Sequence, residues 1–300
     1  MKIINWFFSI FLCLYLAACN SNDKPEEEPV IEEPCPDLDE VNSHFAYGDL
    51  PDLSARLAYM GMDRPLDSYN YPLYLGMDGW MAATDSGRNP MKVCQVTPEC
   101  LLRKMTTQAV IQAIWELPNL WRFFTIYEPY LQRVIEFQRS FYNAYEELYN
   151  RKDAGTALLE RLTLVDPLTP YVQYEAQHLE LLLSRTDFLS QLNESKKRKT
   201  VEIALSNYEK RYAAWWEDGL GLGSFSRPTA WILMGKAMYV AGYVPFLEAM
   251  NENEELKYFI EGWRPNRSDP SKKDDYLYLE YYYGNITLLI IEYAKNYIND

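Results

Sequence analysis

Histidine is nearly missing from this 300-residue chain, which has only His44 and His178. His44 has no identifiable partner, and His178 sits beside a buried helical stripe, where a boundary position is expected rather than a catalytic base. No cysteine or histidine spacing suits zinc. Asp78-Gly79 and Asp85-Ser86-Gly87 read as turns, because a calcium loop needs denser alternating oxygen donors. The glycine-rich run Gly219–Gly223 has no lysine and follows no strand, so it is not a phosphate loop, and no Gly-x-Ser-x-Gly elbow exists. No cofactor or metal is expected. Basic residues are also short, 29 against 43 acidic ones, for a net charge of −14. An acidic chain without a basic stripe suits neither nucleic acid nor an anionic leaflet. Beyond residue 18 no stretch approaches 18 apolar residues, so no spanning helix is expected there.

The first residues are of another kind. Lys2 is followed by an uncharged, largely apolar run from Trp6 to Ala18, 13 residues long. That is signal-peptide length, too short to cross a bilayer. It ends in Leu16-Ala17-Ala18-Cys19, small residues before a thiol, which resembles the lipobox of bacterial lipoproteins. The resemblance implies removal of residues 1–18 and a lipid on Cys19 (palmitate among its acyl chains) as the membrane anchor, each buried CH₂ worth about 0.8 kcal/mol. It also implies an outer-membrane location, on the periplasmic or the surface face. Loss of the signal removes Lys2 alone among the charges and leaves −15.

Residues 19–43 follow as a tether. Asn20 to Glu40 carries nine acidic residues against one lysine, with Pro25, Pro29, Pro34 and Pro36 between them. Such a segment cannot bury a core, and proline and self-repulsion keep it extended, so disorder is expected. At about 3.3 Å per residue it would reach on the order of 80 Å. Residues 44–300 remain for one folded domain, with 27 basic and 34 acidic residues. Outside the signal and Cys19 the cysteines are Cys35, Cys94 and Cys100. An oxidising compartment permits a bridge. Cys94 and Cys100 enclose a five-residue loop that closes if the chain turns at Thr97-Pro98, which would leave Cys35 odd; alternatively Cys94 is simply a small buried hydrophobe.

From residue 97 onward the apolar spacing is helical. Thr97 with Pro98 reads as an N-cap and first helical position. Val134, Phe137, Phe141, Ala144 and Leu148 form one stripe, and Val172, Ala176, Leu179 and Leu183 another. Val201, Leu205, Tyr208, Tyr212 and Trp215 repeat at four-three-four-three, and Tyr276, Leu279, Tyr283, Ile286, Ile290, Tyr293 and Tyr297 hold similar spacing. Helices are expected near 98–117, 119–126, 129–151, 154–165, 170–184, 195–217, 227–250, 252–262 and 274–298. Short connections favour antiparallel neighbours. The expected fold is all-α, an α-solenoid-like array of antiparallel helical hairpins over 97–300. The glycine- and proline-broken stretch 44–96 would contribute a short helix near 53–60 and irregular chain packed on that array.

Tyr69-Asn70-Tyr71-Pro72, Gly76, Trp80, Cys94-Gln95-Val96 and Met105-Thr106-Thr107-Gln108-Ala109-Val110 follow one another in an order that resembles a family of exported helical-repeat-like proteins of Bacteroidales-type bacteria. Arg151–Gly155, Leu158-Leu159, Asp166-Pro167 and Leu189–Leu192 continue the likeness, which spans roughly residues 69–210. Tyr127–Tyr130 departs from the asparagine-rich turn of that pattern. The resemblance carries over no catalytic residue.

One patch has chemistry. Trp215-Trp216-Glu217-Asp218-Gly219 ends a helix. Indoles beside carboxylates grip sugars, the ring stacking on the pyranose and the acid bonding hydroxyls or protonating a leaving oxygen. The same residues also fit a core tryptophan and a glycine-capped terminus. Trp215 continues a buried stripe and is expected inside, which leaves Trp216, Glu217 and Asp218 as the candidate ligand patch. With 25 tyrosines and 8 tryptophans, some aromatic rings must face solvent, where they favour binding. The expected function is a non-catalytic binding or scaffold module for a peptide, protein or glycan. The alternative is an all-helical carbohydrate-active enzyme or glycan-binding protein using Trp216, Glu217 and Asp218.

Overall fold

The computed structural model describes residues 35–39, 63–71, 96–117, 135–136, 138–169, 173–217, 226–265, 273–275 and 284–300. The chain divides into residues 1–35, of which Cys35 alone is described, and residues 36–300, which carry every element below. The described part is all-α apart from one short ladder. Its helices are α1 (Glu99–Lys104), α2 (Thr107–Trp115), α3 (Asn143–Asn150), α4 (Ala154–Leu164), α5 (Gln173–Leu183), α6 (Thr186–Leu189), α7 (Glu194–Glu217), α8 (Ser226–Ala241), α9 (Val244–Glu252), α10 (Glu254–Glu261) and α11 (Gly284–Asn299). Strands β1 (Trp263–Pro265) and β2 (Lys273–Asp275) pair antiparallel with Arg264 opposite Asp274. No single described helix is long and apolar enough to cross a membrane.

Several expected helices are broken, each at an identifiable place. The span 98–117 divides at Thr106, whose hydroxyl accepts the Ala109 N–H and caps a new helix. The first cap falls on Pro98 rather than Thr97. Thr97 is instead clasped by Asn143, which accepts from its N–H and donates to its carbonyl. The span 129–151 is interrupted at residues 140–142. The helical phase does not carry across, so Phe141 is 45% exposed and Tyr142 takes the buried place. The span 227–250 bends by 112° at the α8–α9 junction. There Gly242 holds φ 69°, a left-handed conformation glycine adopts without strain, and Pro245 opens α9. Residues 273–275 form a strand instead of starting the last helix, which begins at Gly284. The expected helices near 53–60 and 119–126 lie outside the described residues.

Helix α8 is the centre. From Pro228 to Met238 every side chain but Gly235 and Lys236 is apolar or small, and the burial runs round the whole helix. A helix apolar on all sides must be enclosed. It packs against α5, α6, α7, α9, α10 and α11, while α4 meets α2, α5, α6 and α7. Ala176, Leu179 and Leu183 of α5 and Ile286, Ile290 and Tyr297 of α11 are buried, as their spacing predicts.

Residues 63–71 are irregular and lie over α2, as expected for the lead-in. Tyr71 donates to the Ala113 carbonyl at 3.0 Å. Arg64 grips Glu116 with two bonds, Nε to Oε1 at 2.9 Å and Nη2 to Oε2 at 2.8 Å. A two-point contact of this kind sets orientation as well as adding energy. Cys35 and Cys100 are each disulfide-bonded, so Cys35 is not the odd thiol. Spacing along the chain favoured a short loop, but folding decides which thiols meet. Cys94, and with it the expected Cys94–Cys100 loop, lies outside the described residues. So does Cys19.

Candidate functional site

Helix α7 carries the candidate patch at its C-terminal end, and its other face explains how that end is presented. The buried positions of α7 are Thr200, Val201, Ala204, Leu205, Asn207, Arg211 and Ala214. The apolar stripe read from the sequence is therefore displaced at its C-terminal half. Tyr212, expected inside, is 42% exposed. Two polar residues, Asn207 and Arg211, take the inward places.

They go inward because Glu180 of α5 is there to receive them. Its carboxylate accepts from Asn207 Nδ2 at 3.0 Å, from Arg211 Nη1 at 2.8 Å and from the Thr229 hydroxyl of α8. An isolated buried carboxylate would be prohibitively unfavourable, and a charge partner with two further donors makes it tolerable. Three helices are thereby fixed in mutual register around one side chain.

A second buried group lies five residues earlier on α5. Glu175 accepts from Arg161 Nε of α4, both side chains out of solvent. His178 is fully buried, not at a boundary. The Tyr145 hydroxyl donates to Gln138 Oε1 at 2.7 Å and is hydrogen-bonded to His178 Nε2 at 2.8 Å. Burial, and secondarily the nearby Arg161 charge, pushes the His178 pKa down to about 3. Burial likewise holds the Tyr145 hydroxyl well above its ordinary range. This imidazole stays neutral at physiological pH and has a structural role.

Beside the buried face of α7 the aromatic rings form a braced row. Tyr212 lies against Tyr208 with ring centroids 5.8 Å apart, and Tyr208 lies 5.8 Å from Trp231 of α8. Tyr212 is thus an exposed ring supported from below. The helix continues to Glu217, so Trp216 falls four residues on, one turn along the same face as Tyr212. Trp215 falls four residues after the buried Arg211. The side chains of Trp215, Trp216 and Glu217 lie outside the described ones, as does Asp218 entirely. Tyr212 is the member of this face that periodicity misses: the apolar spacing points it inward, and the structure leaves it exposed.

Among the described residues no group of three or more histidine, cysteine, aspartate or glutamate side chains is arranged to hold a metal ion. Comparison with protein-family models, curated proteins and solved structures finds no match to this chain.

Proposed function

We propose that this protein is a lipid-anchored lipoprotein of the bacterial cell envelope whose helical body binds a partner through the aromatic face at the C-terminal end of α7. The anchor reading rests on Leu16-Ala17-Ala18-Cys19 behind a 13-residue apolar run and ahead of the acidic tether. The likeness of residues 69–210 to exported helical-repeat-like proteins supports the same location. Sequential pairs such as α7–α8 and α9–α10 pack together as helical hairpins, gathered around α8 rather than stacked one after another, and such a body can display one face to a partner.

The observation that carries the binding surface is the exposed Tyr212 ring, braced by Tyr208, one turn before Trp216. A rigid aromatic ring presents apolar area with little entropy left to lose on binding. Glu217 and Asp218 follow Trp216 directly in the sequence, and indoles next to carboxylates suit a glycan: ring faces for the sugar and carboxylates for its hydroxyls. Hydrolysis would need more, a second carboxylate about 5–10 Å across a cleft.

The test is a glycan and peptide array probed with the full chain in detergent, then repeated with Tyr212→Ala and Trp216→Ala. Both variants should lose the bound ligand while melting within a few degrees of the parent. Trp215→Ala should instead lower the melting temperature, because it follows the buried Arg211 and a vacated indole cavity costs roughly 3–5 kcal/mol. Ligand binding that survives both Tyr212→Ala and Trp216→Ala would remove this face as the site. Release of reducing sugar ends from a bound glycan would make the protein an enzyme instead.

A further inference from the structure

A recess of about 140 Å³ opens where α5, α6, α8 and α10 come together, lined by Glu136, Ser184, Arg185, Thr186, Lys236 and Glu261 among others. It shares no residue with the α7 face. Its charges sum to zero, but they do not pair off inside it. Glu136 Oε1 accepts from Arg185 Nη2 at 2.8 Å. Glu261 lies 4.0 Å from Lys257, one turn back on its own helix. The Ser184 hydroxyl is already engaged, donating to the Leu181 carbonyl at 2.7 Å. Lys236, half-buried on the largely apolar α8, makes no hydrogen bond or ion pair among the described residues. It is the charge left over.

An ammonium taken partly out of water without a hydrogen-bonded counter-ion is unfavourable, and the Glu261 and Glu136 carboxylates of the recess relieve it only from a distance. Burial, with the Arg185 charge as the next cause, lowers the Lys236 pKa to about 8, against the opposing pull of Glu261 and Glu136. Two cationic side chains, one from the α5–α6 connection and one from α8, therefore meet at one polar recess, and only Arg185 has a hydrogen-bonded partner there. That partner is replaceable: the Glu136 side chain is 57% exposed, and a partly exposed ion pair is weak. Thr186, exposed at the rim, brings a hydroxyl. The volume suits an anion of a few heavy atoms with ordered water beside it.

We propose that this recess is a binding site for a small oxyanion, a carboxylate or a phosphate, held between Lys236 and Arg185 and displacing Glu136 from the guanidinium. The anion would give Lys236 its missing counter-ion and take two donors from Arg185.

The experiment is calorimetric titration of the full chain in detergent with sodium phosphate and, separately, sodium acetate, at constant ionic strength over a chloride background. Saturable binding of either anion is expected. Phosphate alone would identify a phosphoryl-bearing ligand, and acetate alone a carboxylate. Lys236→Met should weaken that binding about tenfold or more, since it removes one of two charges. Glu136→Gln should tighten it by removing the competitor. No saturable binding of either anion would overturn the proposal, as would binding that a folded Lys236→Met leaves unchanged. Should Lys236→Met fail to fold, Glu136→Gln decides by itself, because its side chain is at the surface: binding no tighter than the parent's overturns the proposal.

Discussion

Glu180 and Arg211 meet at 2.8 Å, carboxylate oxygen to guanidinium nitrogen, with both side chains out of solvent. The pair joins α5 to α7, and Thr229 ties α8 to the same oxygen. Removing one partner of such a pair leaves a bare charge inside, which typically costs about 3–5 kcal/mol. Arg211→Met should show a loss of that size in urea unfolding. Glu180→Met with Arg211→Met should recover part of it, because the apolar double replacement leaves no charge behind. A single variant costing under about 1 kcal/mol would mean that water reaches the site.

His178 predicts acid sensitivity of a defined sign. Its pKa falls from an ordinary 6.5 to about 3 in the folded chain. Between those values the unfolded chain binds a proton that the native one excludes, so stability is full above about pH 6.5 and declines as pH falls toward 3. The slope from this one group is up to about 1.4 kcal/mol per pH unit. Unfolding free energies of the parent and His178→Gln across this window should diverge in slope by that amount. Parallel curves would show that the imidazole is hydrated.

Two glycines test helix approach. A Cβ at Gly155 of α4 would sit 2.2 Å from the Phe188 carbonyl oxygen, and a backbone atom cannot step aside. At Gly235 the nearest atom is also at 2.2 Å, but it is the Cδ1 end of the Ile260 side chain, which can turn. Gly155→Ala should therefore lose about 1–3 kcal/mol by overpacking. Gly235→Ala should lose less, since helix propensity returns up to about 1 kcal/mol. Thermal melts that rank them the other way would refute the close α4–α6 approach.

Cys19→Ser removes the thiol to which lipid would attach. The variant precursor should leave the detergent phase in a phase-partition assay, while the parent stays in it. Partition of the variant with detergent would mean that something other than a lipid on Cys19 holds the protein there.

Local pattern determined a great deal by itself. The 3.6-residue spacing placed α4, α5, α7 and α10 within a few residues of their observed ends, because amphipathic periodicity is a property of neighbouring positions. The division at Thr106 and the bend at Gly242 also had local signals, a capping threonine and a glycine ahead of Pro245. What the pattern could not decide was which face of α7 goes inward at its C-terminal half. Hydrophobicity favoured Tyr212; the structure buries Asn207 and Arg211, because Glu180, some 30 residues away, compensates their desolvation. The Lys236 recess is of the same kind. Arg185 lies in the α5–α6 connection and Lys236 on α8, and nothing near either one marks the other. Burial of an apolar residue follows from its own chemistry and its helical phase. Burial of a charged one depends on a partner that only the folded chain brings near, and that dependence is absent from any local stretch of sequence.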